Sequence, residues 1–290
     1  MMTAIVEART IAAVLGLRLL DQTTGLPVAT GQGFEATAIP LAQPSAPVAG
    51  LVGPSGIVSF HELSGVRDLE FPTDQSDGPA SFPGGVAFLV LIEDHDGRFL
   101  REIFTVQLPL DPAGVVLPLL DVPLFSAPTR PVTPGLAAIR ADLRDLETGE
   151  PVPYAVLRVD VAGVTGVGIA DDGGRTLVLV ETPVVDRLRL GSPPGTGQGA
   201  LGRQTWHVTA RVFALPGPAA LVPDRPPLRP PWDTMPSLKT LLTDQPQVPV
   251  CQVAGTSESE WSGTLVAGRE LVLRTDSSSH LLISRGASPP

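Results

Sequence analysis

The sequence has one cysteine, Cys251, and one lysine, Lys239. A lone cysteine excludes an intramolecular disulfide and any cysteine-based metal site, and Cys251 within VPVCQVAG reads as a small buried hydrophobe. Aromatic residues make up only 4%, with one tyrosine and three tryptophans, so a core must be built from Val, Leu, Ala and Ile. Positive charge is scarce as well: 20 basic residues face 30 acidic ones, a net charge of −10. A chain without a basic face has no footprint for phosphate, which excludes nucleic acid and argues against anionic membrane surfaces. No run reaches the roughly 18 apolar residues of a membrane span, so no membrane insertion is expected. The stretch IAAVLGLRLL (11–20) lacks the flanks of a leader, because Glu7 precedes it, Arg18 interrupts it and no small-x-small site follows. A cytoplasmic location is therefore expected, compatible with release as part of a particle.

Turn formers are plentiful: 30 glycines and 32 prolines among 290 residues, short of the roughly 25–30% that marks low complexity. Between them run short segments of period two, the mark of half-buried strands. Residues 12–21, 33–41 and 56–63 read this way. Residues 85–108 hold two such runs around EDHDGR, where Asp-Gly predicts a hairpin. Residues 114–125 are apolar but broken by Pro118 and Pro123, which suits an edge strand or an extended linker. SAPTRPVTPG (126–135) reads as a boundary. LAAIRADLRDLETG (136–149) has helix-favouring composition yet also alternates, and strand is the preferred reading. Residues 154–163 and 204–215 alternate, and 166–183 reads as a hairpin around DDGG. The span 216–238 carries eight prolines and is expected to lie extended. SLKTLLTD (237–244) could form two helical turns capped by Ser237. Three short β-like runs follow in 263–286, either a small hairpin unit or strands that complete an earlier sheet.

One pattern occurs twice. DQTTGLPV (21–28) and DLETGEPV (145–152) share D-x-x-T-G-x-P-V, each between strands. Gly25 and Gly149 supply turns that need a positive φ, Pro27 and Pro151 set an extended start to the next strand, and Gly56 and Gly174 open a further strand downstream. These residues resemble the carboxypeptidase regulatory-like (transthyretin-like) β-sandwich family. The second copy matches with Asp145, Thr148, Gly149, Pro151, Val152, Ala155, Asp172 and Gly174. The first copy departs by a Pro-rich insertion near 40–55 and lacks the Asp before Gly56. The resemblance implies small antiparallel sandwiches without catalytic residues, acting as spacers, scaffolds or binding units. The layout as a whole also resembles uncharacterised proteins of contractile, phage-tail-like injection system clusters.

The expected fold is all-β: two tandem antiparallel β-sandwich domains with a Pro-rich C-terminal arm and short terminal strands. The expected boundaries are 1–127 for the first domain, 128–215 for the second, and 216–290 for the arm and a C-terminal hairpin region.

No residue set predicts chemistry. SPPGTGQGALGRQT (192–205) lacks the lysine and hydroxyl of a phosphate loop. Glu93, Asp94, His95 and Asp96 read as a solvated turn, as does ADDGG (170–174). His61, His95, His207 and His280 are scattered, and no nucleophile elbow exists. No catalytic residue, metal site or cofactor is assigned. Trp232, Met235 and Leu238 in the arm are the expected partner interface. The function expected is a non-catalytic structural subunit that assembles with other protein subunits, with self-association left open. Removal of 216–290 is expected to leave both domains folded. The alternative is a sandwich module that binds a small ligand or glycan.

Overall fold

The structure is a computed structural model that describes residues 13–28, 33–42, 47–53, 55–66, 85–110, 119–182, 204–217, 228 and 232–286. The glycine-rich loop at 192–203 lies outside them. The described chain is nearly all β, arranged as two tandem β-sandwiches.

Sandwich 1 comprises β1 (Leu15–Asp21), β2 (Phe34–Pro40), β3 (Val48–Ala49), β4 (Leu51–Val52), β5 (Ile57–Phe60), β6 (Val86–Asp94), β7 (Glu102–Leu108) and β8 (Leu119–Leu124). They form two four-stranded sheets, β4-β5-β1-β8 and β3-β2-β6-β7. Period two places Leu15, Leu17 and Leu19 of β1 opposite Phe88, Val90 and Ile92 of β6 and Phe104, Val106 and Leu108 of β7, all in one apolar cluster. Each such side chain contributes roughly 1.5–3 kcal/mol on burial. β8 lies parallel to β1 at the sheet edge, with Pro123 opposite Leu20, where no ladder donor is required.

Sandwich 2 comprises β9 (Leu136–Asp145), β10 (Val156–Val161), β11 (Val164–Ile169), β12 (Arg175–Glu181), β13 (Thr205–Phe213), β14 (Gln247–Val248), β15 (Val250–Cys251), β16 (Trp261–Val266), β17 (Leu271–Leu273) and β18 (Leu281–Ile283). One sheet runs β11-β10-β13-β14 with β16 also on β13, and the other runs β12-β9-β18-β15 with β17 also on β9. Residues 136–145 are strand despite their helix-favouring composition, because β12 on one side and β17 and β18 on the other take up the β9 backbone.

Two expectations change. Residues 166–183 are not a hairpin: β11 pairs with β10, whereas β12 pairs with β9, so the DDGG turn carries the chain from one sheet to the other. The strands after residue 246 also do not stand apart. β14 and β16 pair with β13, while β17 and β18 pair with β9, and Leu265, Leu273, Leu281 and Ile283 belong to the core of sandwich 2. Removing 216–290 would therefore take away part of both sheets, rather than leave two folded domains.

The repeated motif adopts the same structure twice. Gly25 and Gly149 have φ of +67° and +71°, and their N–H groups donate to the carbonyls of Asp21 and Asp145 at 2.7 and 2.8 Å. The Asp21 carboxylate accepts the N–H of Thr23, and Asp145 accepts that of Glu147, both at 2.9 Å. Pro27 and Pro151 each bridge back to the preceding strand, at Leu20 and Arg144. Each aspartate is then clamped by an arginine that follows the closing parallel strand. Arg130 donates to both Asp21 oxygens, and Arg285 donates to Asp145 at 2.6 Å. Burial raises the Asp145 pKa, but Arg285 and the N–H groups of Glu147 and Thr148 outweigh it and leave the carboxyl below its usual range. Three residues earlier on each first strand the charge pattern inverts. Arg18 forms a bidentate pair with Asp121 at 2.7 Å, whereas Asp142 meets His280 at 2.9 Å.

Candidate functional site

The two sandwiches meet at a cleft of about 80 Å³. Sandwich 1 supplies Leu100 to Ile103 and Phe125, and sandwich 2 supplies Tyr154 and Ile169 to Asp172. A strap from the segment between β13 and β14 closes it. The strap consists of a 3-10 turn (Trp232–Thr234) and one short helix, α1 (Leu238–Thr243). As expected, Ser237 caps this helix, its hydroxyl accepting the Thr240 N–H at 3.2 Å.

The three arm residues separate by position. Met235 is 6% exposed and packs with Ile39, Leu89, Leu91 and Ile103 on the outer face of the β2-β6-β7 layer, with Trp232 partly buried at its margin. Leu238 and Leu241 join the main cluster of sandwich 1. These side chains are thus covered within their own chain. From sandwich 2, Val156 and Ile169 enter that same cluster, so apolar packing runs continuously across the junction.

One charged group in the cleft wall went unread in the sequence. Glu102 is 4% exposed, its Oε1 accepts the Phe125 N–H at 3.2 Å, and its Oε2 has no hydrogen-bond partner among the described residues. Burial pushes its pKa well above the usual carboxylate range. A sequence signal existed: Glu102 shares the period-two face of Phe104, Val106 and Leu108, which is the core face. Tyr154 lies alongside in a left-handed conformation, φ +61°, and burial raises its pKa. The cleft wall therefore holds a desolvated carboxyl group among apolar side chains, with Arg101, Asp171 and Asp172 also lining the cleft.

The other candidates are not brought together. Asp94 accepts the N–H groups of Arg98 and Phe99, Glu93 pairs with Arg101 at 2.6 Å, and His95 faces Glu35 at 3.1 Å. Asp171 folds its own turn by accepting the N–H groups of Gly173 and Arg175. His207 meets Ser262, and His280 meets Asp142. Trp261 is buried in the core of sandwich 2, away from Trp232 on the strap. Cys251 is fully buried, which raises its thiol pKa. Among the described residues no three His, Cys, Asp or Glu side chains converge as for a metal.

No family model matches the chain, and no curated protein matches it. Solved structures that it resembles include the shaft pilin of Lactobacillus rhamnosus GG, at 9% identity over 98% of this chain and 100% of that one, with a TM-score of 0.24. A Bacteroides ovatus protein described as an adhesin matches at 9% identity over 100% of both chains, TM-score 0.24. An adhesin with which an Antarctic bacterium binds ice matches at 10% identity over 72% of this chain and 46% of that one, TM-score 0.16. The expectation of a cytoplasmic location is withdrawn, because the solved structures that the chain resembles are a shaft pilin and adhesins. Beyond that, likeness at these TM-scores carries no argument, and the fold class stands on the strand pairings of the chain itself.

Proposed function

We propose that the chain is a non-catalytic structural subunit whose two sandwiches act as one fastened spacer within a larger assembly. The observation that carries this reading is the strap. Met235, Leu238 and Leu241 of the C-terminal half are buried on sandwich 1, while Val156 and Ile169 extend its core from the other side. A spacer needs a fixed angle between its modules, and apolar burial at the junction supplies one. The domain division that accompanies this reading places β1–β8 in one unit and β9–β18 in the other, with the strap returning from the second to the first. The turns at Gly25, Pro27, Gly56, Gly149, Pro151 and Gly174 are the structural residues of the design. Membership of the transthyretin-like sandwiches and service in a contractile injection system belong to the same proposal, and no comparison supports either.

Co-purification of the tagged chain from its host tests the reading. Recovery in a stoichiometric multi-subunit complex is the expected result, and recovery only as a free chain that turns over a substrate in a broad hydrolase screen contradicts it. A second reading, a small-ligand module, is favoured by one observation, the unpartnered Oε2 of Glu102 in an apolar cleft. Titration with a fragment set, followed by the amide signal of Phe125, decides it. Loss of the response in Glu102→Gln would support that reading.

A further inference from the structure

We infer that the cleft between the two sandwiches binds a short-chain primary amine as its ammonium ion, with Glu102 as the counter-ion. This rests on the small-ligand reading of the cleft and goes beyond it by naming the chemical class of the ligand.

Among the described residues, the groups left unmet around the cleft are hydrogen-bond acceptors. Glu102 lines the cleft and uses only Oε1, which accepts the Phe125 N–H at 3.2 Å; its Oε2 has no partner. Gln245, just past the strap helix, is the second case. Its Nε2 donates to the Tyr154 carbonyl at 2.8 Å, which fixes the orientation of the amide and leaves its buried Oε1 unpartnered. Tyr154 itself lines the cleft. Buried acceptors without donors are costly, so the occupant that fits is rich in donors.

Charge then selects among donors. Besides Tyr154 and Glu102, the titratable and charged groups of the lining are Arg101, Asp171 and Asp172. Arg101 donates to Glu93 at 2.6 Å and Arg175 donates to Asp171 at 2.8 Å, so neither arginine bonds to Glu102 or Asp172. The lining therefore lacks a cation for two of its acids. A neutral guest leaves the Glu102 carboxyl protonated, whereas an ammonium ion lets it ionise against a charge-assisted hydrogen bond. Leu100, Ile103, Phe125, Ile169 and Leu238 supply apolar wall for an alkyl chain. The cleft volume of about 80 Å³, the share of roughly two to three waters in the liquid, limits that chain to a few carbons. Oε2 is sealed from water, so an incoming ammonium must displace a strap side chain to meet it; Met235 and Leu238 line the same cleft.

Titration of the full-length protein with n-propylamine hydrochloride, followed at the Phe125 amide and at constant ionic strength, tests the inference. The series runs from about pH 5 to about pH 9, where an alkylamine keeps its charge as lysine does, and n-propanol is the neutral control. The expected result is a saturable shift whose affinity rises with pH as Glu102 ionises. Glu102→Gln keeps the shape and should bind the amine about tenfold more weakly or worse. An unmoved Phe125 signal, an affinity that is flat or falls with rising pH, or equal binding by Glu102→Gln overturns the inference. A response to n-propanol as strong as that to the amine, both lost in Glu102→Gln, overturns the ammonium assignment and leaves the small-ligand reading standing. Silence toward the amine and toward the whole fragment set removes both.

Discussion

Glu102 is the residue whose chemistry is least at ease with its surroundings. Its pKa is raised in the folded chain, so the stability it contributes is fully present below the unfolded value, about 4.3, and is lost as pH rises through the folded value. Above that point an ionised carboxylate is held in the cleft wall with one oxygen unpartnered. Glu102→Gln keeps the shape and removes the charge. Denaturant unfolding should show the variant more stable than the parent by about 2 kcal/mol at alkaline pH, with the two converging near pH 4. Curves that stay parallel across the range would show that Glu102 is not desolvated. The turn glycines offer a second residue-level contrast. A Cβ on Gly149 meets nothing within 4 Å, so Gly149→Ala costs only the left-handed conformation, about 1–2 kcal/mol. A Cβ on Gly174 would stand 2.6 Å from Leu143 O, so Gly174→Ala should cost measurably more in the same assay.

Among the elements, local pattern and long-range pairing separate cleanly. The alternation of Leu15, Leu17 and Leu19, or of Leu157, Val159 and Val161, is written in neighbouring residues, and so were the strands. The motif D-x-x-T-G-x-P-V forms its turn from residues within eight positions, and it forms the same turn twice. What the sequence conceals is pairing at a distance. Asp21 and Asp145 meet arginines 109 and 140 residues away, and no shared motif surrounds Arg130 and Arg285. The DDGG turn has hairpin chemistry yet joins two sheets, because a turn sets chain reversal and not the sheet each arm enters. β17 and β18 are three residues each, too short to announce that they complete β9. Ending the chain after Ser278 removes β18 and Arg285 together. Hydrogen exchange should then show β9 and β13 losing protection while β1 and β6 keep theirs; unchanged protection of β9 would contradict its closure by β18.

At the scale of the molecule, the two sandwiches are the same solution reached twice and then fastened. The parallel closing strand, the buried aspartate and its arginine recur in both. The strap occurs once, drawn from the segment between β13 and β14 and laid on sandwich 1. It accounts for an arm that cannot fold alone, because its apolar side chains find their cover within the chain. Spin labels at Leu26→Cys and Val272→Cys, both exposed and in different sandwiches, measure whether that fastening holds. Pulsed dipolar spectroscopy at low protein concentration should give one narrow distance distribution, which Leu241→Asp in the strap broadens. A broad distribution in the unaltered strap background would contradict a rigid junction, and with it the account of this protein as a fastened spacer.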